Sequence, residues 1–223
     1  MVKAVLWDVD DTLFDHTGAD RKAFHLHFTA EGLPSDDAAL ATWRELTEAA
    51  YARFTAGELT FPGQRRERAR AYLGPETTDD EADAWFTRYI AHFEASWTAF
   101  PDAAPALAEL PYRHAVLSNS VNTVQERKLT HLGLRHHFEL LLCSDDVGHS
   151  KPDPRAFHAA CKALDLPPEQ VAYIGDRLDL DALGAHAAGL HGIWLDRTGD
   201  TDAPPGIHRI TTLATLPKLL AEL

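Results

Sequence analysis

The sequence predicts an α/β fold in which a parallel sheet is interrupted by a helical insertion, and three observations carry that prediction. From about residue 100 onward, short apolar runs alternate with amphipathic segments, the pattern of βαβ units whose sheet is covered on both faces. One further apolar run, at 2–7, stands alone at the start of the chain. Between the two lies a stretch whose aromatics and leucines recur only at helical spacing.

Residues 2–7 are too few for a helix and end abruptly in Asp8-Val9-Asp10-Asp11-Thr12, so they read as a buried strand with acids at its carboxyl end. From 18 to 97 the spacing of Trp43, Leu46 and Ala50, and of Phe86, Tyr89, Ile90 and Phe93, is helical. Breaks at Gly32-Leu33-Pro34, Phe61-Pro62-Gly63 and Gly74-Pro75 divide this stretch into about four helices. Beyond Phe100-Pro101, strands are expected at 114–117, 140–143, 171–174 and 192–195, and helices at 121–132, 154–164, 180–188 and 213–220. The Gly- and Pro-rich segment 198–206, which includes Asp200, is expected to be a surface loop before a last short strand. A lone first strand needs a sheet to join, which makes the helical block an insertion between strand one and the rest.

The chain of 223 residues carries 21 Lys plus Arg against 34 Asp plus Glu, a formal charge of −13. Such a surface repels phosphate backbones and anionic membranes, so neither a nucleic-acid polymer nor a membrane is an expected partner. At about 150 residues per domain the length suits one domain or one and a half, and 45% hydrophobic residues suffice for a buried core. Cys143 and Cys161 match neither a redox pair nor a zinc site and read as small buried apolar groups. With no secretory signal pattern at the start and no apolar run of membrane-spanning length, a cytoplasmic protein is expected.

In an open α/β sheet, ligands sit beyond the carboxyl ends of the strands. Strand one ends in Asp8 and Asp10, the next in Ser118-Asn119-Ser120, and a later one in Gly175-Asp176, followed by Asp179 and Asp181. Lys151 leads into a helix nearby in sequence. Asp8 and Asp10 leave an extended chain on the same face, and close carboxylates are tolerated when a cation or shared proton compensates them. Asp176 can add a third acid, giving a hard-oxygen site suited to Mg²⁺. Ser118 and Lys151 then fit an anion that also touches the metal, and a phosphoryl group meets that description.

These four segments, in this order, resemble the motifs of the haloacid dehalogenase superfamily, whose phosphatase branch carries a helical cap inserted after the first motif. The resemblance implies a Rossmann-like catalytic core at 1–16 and 98–223 and a cap at 17–97. It implies Asp8 as the nucleophile that forms an aspartyl-phosphate, and Asp10 as the acid and then base that serves the leaving alcohol and the water. Asp8, Asp176 and the Asp10 carbonyl would hold Mg²⁺, with Asp181 orienting a metal-bound water or Lys151. The phosphate would be bound by Ser118, the backbone N–H of Asn119 and Lys151, with Thr12 fixing the loop. Dehalogenases of the superfamily lack an acid at the position of Asp10, which favours phosphoryl chemistry here. The substrate class implied is a small phosphate monoester of nucleotide, sugar-phosphate or phosphoglycolate type, turned over by a monomer or homodimer. A phosphomutase and a non-catalytic metal-binding regulator remain as alternatives.

Several other residues carry plainer readings. Asp11 reads as a turn residue, and Asp179 as a cap for the following helix or a residue that shares the metal-shell duty with Asp181. Lys22 is a solvated helix residue rather than a Schiff-base lysine, and His25, His27, His136 and His137 are surface or partly buried histidines. His16, His149 and Arg177 lie close to the motifs and are candidates for the rim of the site. Most aromatics of the insertion belong to its core, and Gln64-Arg65-Arg66-Glu67-Arg68 is expected to be a solvated helix face.

Overall fold

The computed structural model describes residues 1–199 and 202–223, so Asp200 of the expected surface loop lies outside the described residues. The chain divides into two units, His16–Trp97 and the pair of segments Met1–Asp15 and Thr98–Leu223.

The first unit is built from α1 (His16–Ala30), α2 (Asp37–Thr55), α3 (Phe61–Leu73) and α4 (Asp79–Glu94). Three of their starts are closed by side chains that satisfy otherwise orphaned N–H groups. Asp36 accepts from Ala39 N and Thr60 from Gly63 N, while Thr78 and Glu81 form a reciprocal capping box. Phe61-Pro62-Gly63 is therefore the first turn of α3 rather than a break. Pro is tolerated there because its missing N–H would have had no helical partner. Phe24, Phe28, Trp43, Trp85, Phe86 and Tyr89 form the core of this unit.

Two sequence expectations fail inside that core. Gln64 and Arg68, four apart on α3, are buried rather than solvated, and the Arg68 guanidinium lies 4.1 Å from the ring centroid of Trp43 and 4.9 Å from that of Phe86. A planar, weakly hydrated cation can be stacked on aromatic faces, which a reading by charge alone overlooks. His27 is also fully buried, edge-on to Trp85 at 4.3 Å. Asp20 is buried among these groups, accepting from Trp43 Nε1 at 3.1 Å and from the Tyr89 hydroxyl at 2.5 Å.

The second unit contains β1 (Ala4–Trp7), α5 (Ala103–Glu109), β2 (Arg113–Ser118), α6 (Asn122–His131), β3 (Leu140–Cys143), α7 (Ser144–Val147), α8 (Pro154–Ala163), β4 (Val171–Gly175), α9 (Leu183–Ala187), β5 (His191–Leu195), β6 (His208–Ile210) and α10 (Leu216–Ala221). The strands form one six-stranded sheet in the order β3-β2-β1-β4-β5-β6, every pair parallel. Helix 180–188 of the sequence reading divides into a π-helical turn, Leu178–Ala182, followed by α9. Side chains alternate across β1, so Ala4 and Leu6 join Leu117, Tyr173 and the apolar face of α8, with Phe157 and Cys161, in one cluster. Val5 and Trp7 point to the other face and are equally buried, as a parallel sheet covered on both sides requires.

Register then places the chemistry. Trp7 pairs with Val116 and with Ile174, so the residues following β1 emerge between the ends of β2 and β4. The ladder extends one residue further on the β4 side, where Asp8 N donates to Ile174 O at 2.9 Å. No helix among the described residues is long and apolar enough to cross a membrane.

Candidate active site

Beyond β1 the chain folds back on itself. The Val9 carbonyl accepts from the N–H groups of Thr12, Leu13 and Phe14, and Asp11 N donates to Phe14 O. Asp11 sits at φ 56°, a left-handed conformation that aspartate tolerates better than most residues. Its turn role therefore has a backbone reason.

Asp8 is buried and meets the Lys151 ammonium, whose Nζ is 2.7 Å from Asp8 Oδ1. Lys151 donates equally to Asp181 Oδ1 at 2.7 Å and to the Tyr173 hydroxyl at 2.5 Å. These partners account for the three donors of an ammonium. Tyr173 in turn donates to Leu117 O at 2.9 Å, tying the lysine to the strand ends. In the sequence Tyr173 reads as one apolar residue of β4, and the only signal of its role is that a buried phenol needs a partner.

Asn119 fixes the lysine's backbone from β2, its Oδ1 accepting from Lys151 N at 2.7 Å and its Nδ2 donating to Lys151 O at 2.8 Å. Asp181 approaches through a glycine: a Cβ on Gly175 would lie 2.2 Å from Asp181 Oδ2, so only glycine leaves room there. Arg177 N donates to the same Oδ2 at 2.9 Å. Asp179, by contrast, is exposed and faces Arg177. Thr12 is fully buried, with its hydroxyl 3.4 Å from Asp8 Oδ2.

Carboxylate oxygens of Asp8, Asp176 and Asp181 lie within 4.8 Å of one another. Burial is the main reason that Asp8 is pushed up to about 7, Lys151 pulling it down while Asp181 and Asp10 push it further up. Asp176 is raised to about 8 by burial and by Asp8 and Asp181. Burial alone would lower the Lys151 ammonium, but Asp181 and Asp8 hold it well above its usual range. Two acids thus share one lysine with a third carboxylate beside them, leaving negative charge that a divalent cation would offset.

Asp10 is turned elsewhere. Gln125 Nε2 donates to Asp10 Oδ2 at 3.0 Å and to Ser118 Oγ at 3.1 Å, and the Lys128 ammonium bonds to Asp10 Oδ1. Nothing in the sequence marks Gln125 and Lys128 as site residues beyond their i, i+3 spacing, which puts them on one face of α6. A second group, Cys143, Asp145 and Asp146, also clusters, but its acids accept from Asn122 N, Asn122 Nδ2 and Cys143 N, as capping residues do. Burial and those acids push the Cys143 thiol up, as expected of an inert buried cysteine. Lys22 is exposed on α1, and His16 packs edge-on to Phe93 within the helical unit.

A family model described as haloacid dehalogenase-like hydrolase matches residues 2–189. Among curated relatives, a phosphoserine phosphatase of Thermus thermophilus is 32% identical, over 92% of this chain and 94% of that one. A glyceraldehyde 3-phosphate phosphatase of Methanopyrus kandleri is 31% identical, over 92% and 88%. Among solved structures, YfnB of Bacillus subtilis, crystallised with magnesium, superposes with a TM-score of 0.85 over 99% of each chain at 23% identity, a likeness of fold.

Proposed function

The chain belongs to the haloacid dehalogenase-like hydrolases, and we propose that it hydrolyses small phosphate monoesters through an aspartyl-phosphate on Asp8. The observation that carries this reading is the buried Lys151 ammonium shared between Asp8 and Asp181, with Asp176 beside them, at the carboxyl end of the sheet. The names of the relatives, phosphoserine and glyceraldehyde 3-phosphate phosphatases, support phosphorylated metabolites of similar size as the substrate class. In this reading the α/β unit is the catalytic core and the helical unit its cap.

The acid cluster fits a divalent metal: it supplies only hard oxygen donors, and its negative charge exceeds what Lys151 offsets. Asp8, Asp176 and the Asp10 carbonyl would hold Mg²⁺, with Asp181 in support. When bound, the ion would polarise the phosphoryl group and keep Asp8 ionised.

The chain's own residues do the rest. Asp8 attacks phosphorus in line, and its P–O bond forms as the bond to the leaving alcohol breaks. Lys151 offsets the charge of the attacking carboxylate, which the phosphoryl group would otherwise repel. Ser118 and the Asn119 N–H bind phosphoryl oxygens, while Thr12 steadies Asp8. Asp10 gives its proton to the departing oxygen and then takes one from the water that attacks phosphorus and frees Asp8.

Phosphate release from p-nitrophenyl phosphate and a panel of natural monoesters, with Mg²⁺ and with chelator, tests the reading. Metal-dependent release supports it. Metal binding without release from any ester contradicts it and favours a phosphomutase or a non-catalytic regulator.

A further inference from the structure

Gln125 and Lys128 stand on one face of α6, and both are buried, at 0% and 2% exposure. A buried ammonium is costly unless paired, so Lys128 is a specific arrangement rather than a stray surface lysine. Its partner is one oxygen of Asp10, and the Phe14 ring centroid lies 4.6 Å from its Nζ, on the apolar side. Gln125 takes the other Asp10 oxygen at 3.0 Å and, with the same amide nitrogen, Ser118 Oγ at 3.1 Å. Two donors from one helix thus hold both ends of a single carboxylate and tie it to the end of β2.

We propose that Lys128 and Gln125 are positioning residues that fix the plane and direction of the Asp10 carboxyl for proton transfer to the leaving oxygen. The inference rests on the phosphatase reading above. In the first step the Asp10 proton passes to the departing alkoxide as the phosphoryl group moves to Asp8. In the second, water delivers its hydroxyl to phosphorus and its proton to Asp10, and the Asp8–phosphorus bond breaks. Neither positioning residue is consumed or changes bonding to phosphorus. A rigid mount matters because a displacement of about 1 Å in such a group can cost on the order of a hundredfold in rate.

The geometry predicts a signature that a merely structural role would lack. Lys128→Met removes the ammonium while keeping a long side chain beside the Phe14 ring. It should lower kcat on an alkyl phosphate by on the order of a hundredfold, and on p-nitrophenyl phosphate, whose leaving group needs little protonation, by less than about fivefold. KM should stay within about threefold on both, since the lost contact is to Asp10 and not to substrate. Lys128→Arg should restore part of the alkyl rate, and Gln125→Met should show the same discrimination should Lys128→Met fold poorly. In an Asp10→Asn background, Lys128→Met should cost almost nothing further. Equal losses on both esters, a rise in KM alone, or an additive loss in the Asp10→Asn background overturns the inference while leaving the phosphatase reading intact. A wild-type protein that releases phosphate from neither ester overturns both.

Discussion

Lys151 Nζ lies 2.7 Å from Asp8 Oδ1, although 143 residues of chain separate the two. The parallel register of β1 and β4 and the Asn119 clamp on the Lys151 backbone make that closeness a property of the fold rather than of a local turn. Removing the lysine leaves the buried Asp8 and Asp181 facing one another beside the half-buried Asp176. Lys151→Met should therefore lower turnover by on the order of a hundredfold to a thousandfold. It should also lower unfolding free energy at pH 8 by roughly 3–5 kcal/mol, with a smaller loss at pH 5.5, where Asp8 and Asp176 can take up protons. Urea unfolding at the two pH values checks this.

The raised Asp8 and Asp176, at about 7 and about 8, make the metal-free protein sensitive to alkali. Both lie above the ordinary aspartate value of 3.8 expected of the unfolded chain. The folded state thus holds protons that the unfolded state has lost, and this contribution falls as pH rises from about 4 through 8. A divalent ion reverses the balance by favouring the ionised acids. Millimolar Mg²⁺ should raise the melting temperature more at pH 8 than at pH 5.5, and an equal shift at both would contradict the assignment.

Gly175 is where the backbone of β4 meets the Asp181 carboxylate. Gly175→Ala would place a Cβ 2.6 Å or less from three atoms of that side chain, so Asp181 must move and its bond to Lys151 must lengthen. Activity should fall by at least about tenfold, with a destabilisation of roughly 1–3 kcal/mol from overpacking. Steady-state kinetics and thermal melts of the one variant read both effects.

The helical unit carries its own acid switch. His27 is buried, neither ring nitrogen has a hydrogen-bond partner, and burial lowers it to about 4 from 6.5. Between those values the unfolded chain binds a proton that the folded chain refuses, so stability falls as pH drops from about 6.5 to 4 and levels off below. The loss reaches at most roughly 3 kcal/mol. His27→Leu should flatten this part of the stability profile, as followed by denaturant unfolding at pH 7, 5.5 and 4.5.

What the sequence made legible followed from where chemistry sits on strands. The sheet was readable because Val, Leu and Ile runs of strand length recur in the α/β segment, and the acids that converge were readable because each follows such a run. What escaped were groups whose partners lie far away in sequence. Arg68 reads as a surface charge until Trp43 and Phe86 stack on it. Lys128 reads as one polar residue of an amphipathic helix until Asp10 is seen to meet it. Tyr173 hides in an apolar strand because its ring packs while its hydroxyl works. Pattern reports which face is apolar, but it does not report which polar side chains are buried and paired.

In the proposed mechanism phosphorus passes through Asp8. Borohydride added during turnover of a good substrate reduces an acyl phosphate to the alcohol, and peptide mass spectrometry then locates the reduced side chain. Reduction at Asp8, dependent on substrate and lost in Asp8→Asn together with phosphate release, is the expected result. Reduction at another acid, or sustained phosphate release from Asp8→Asn, would contradict it.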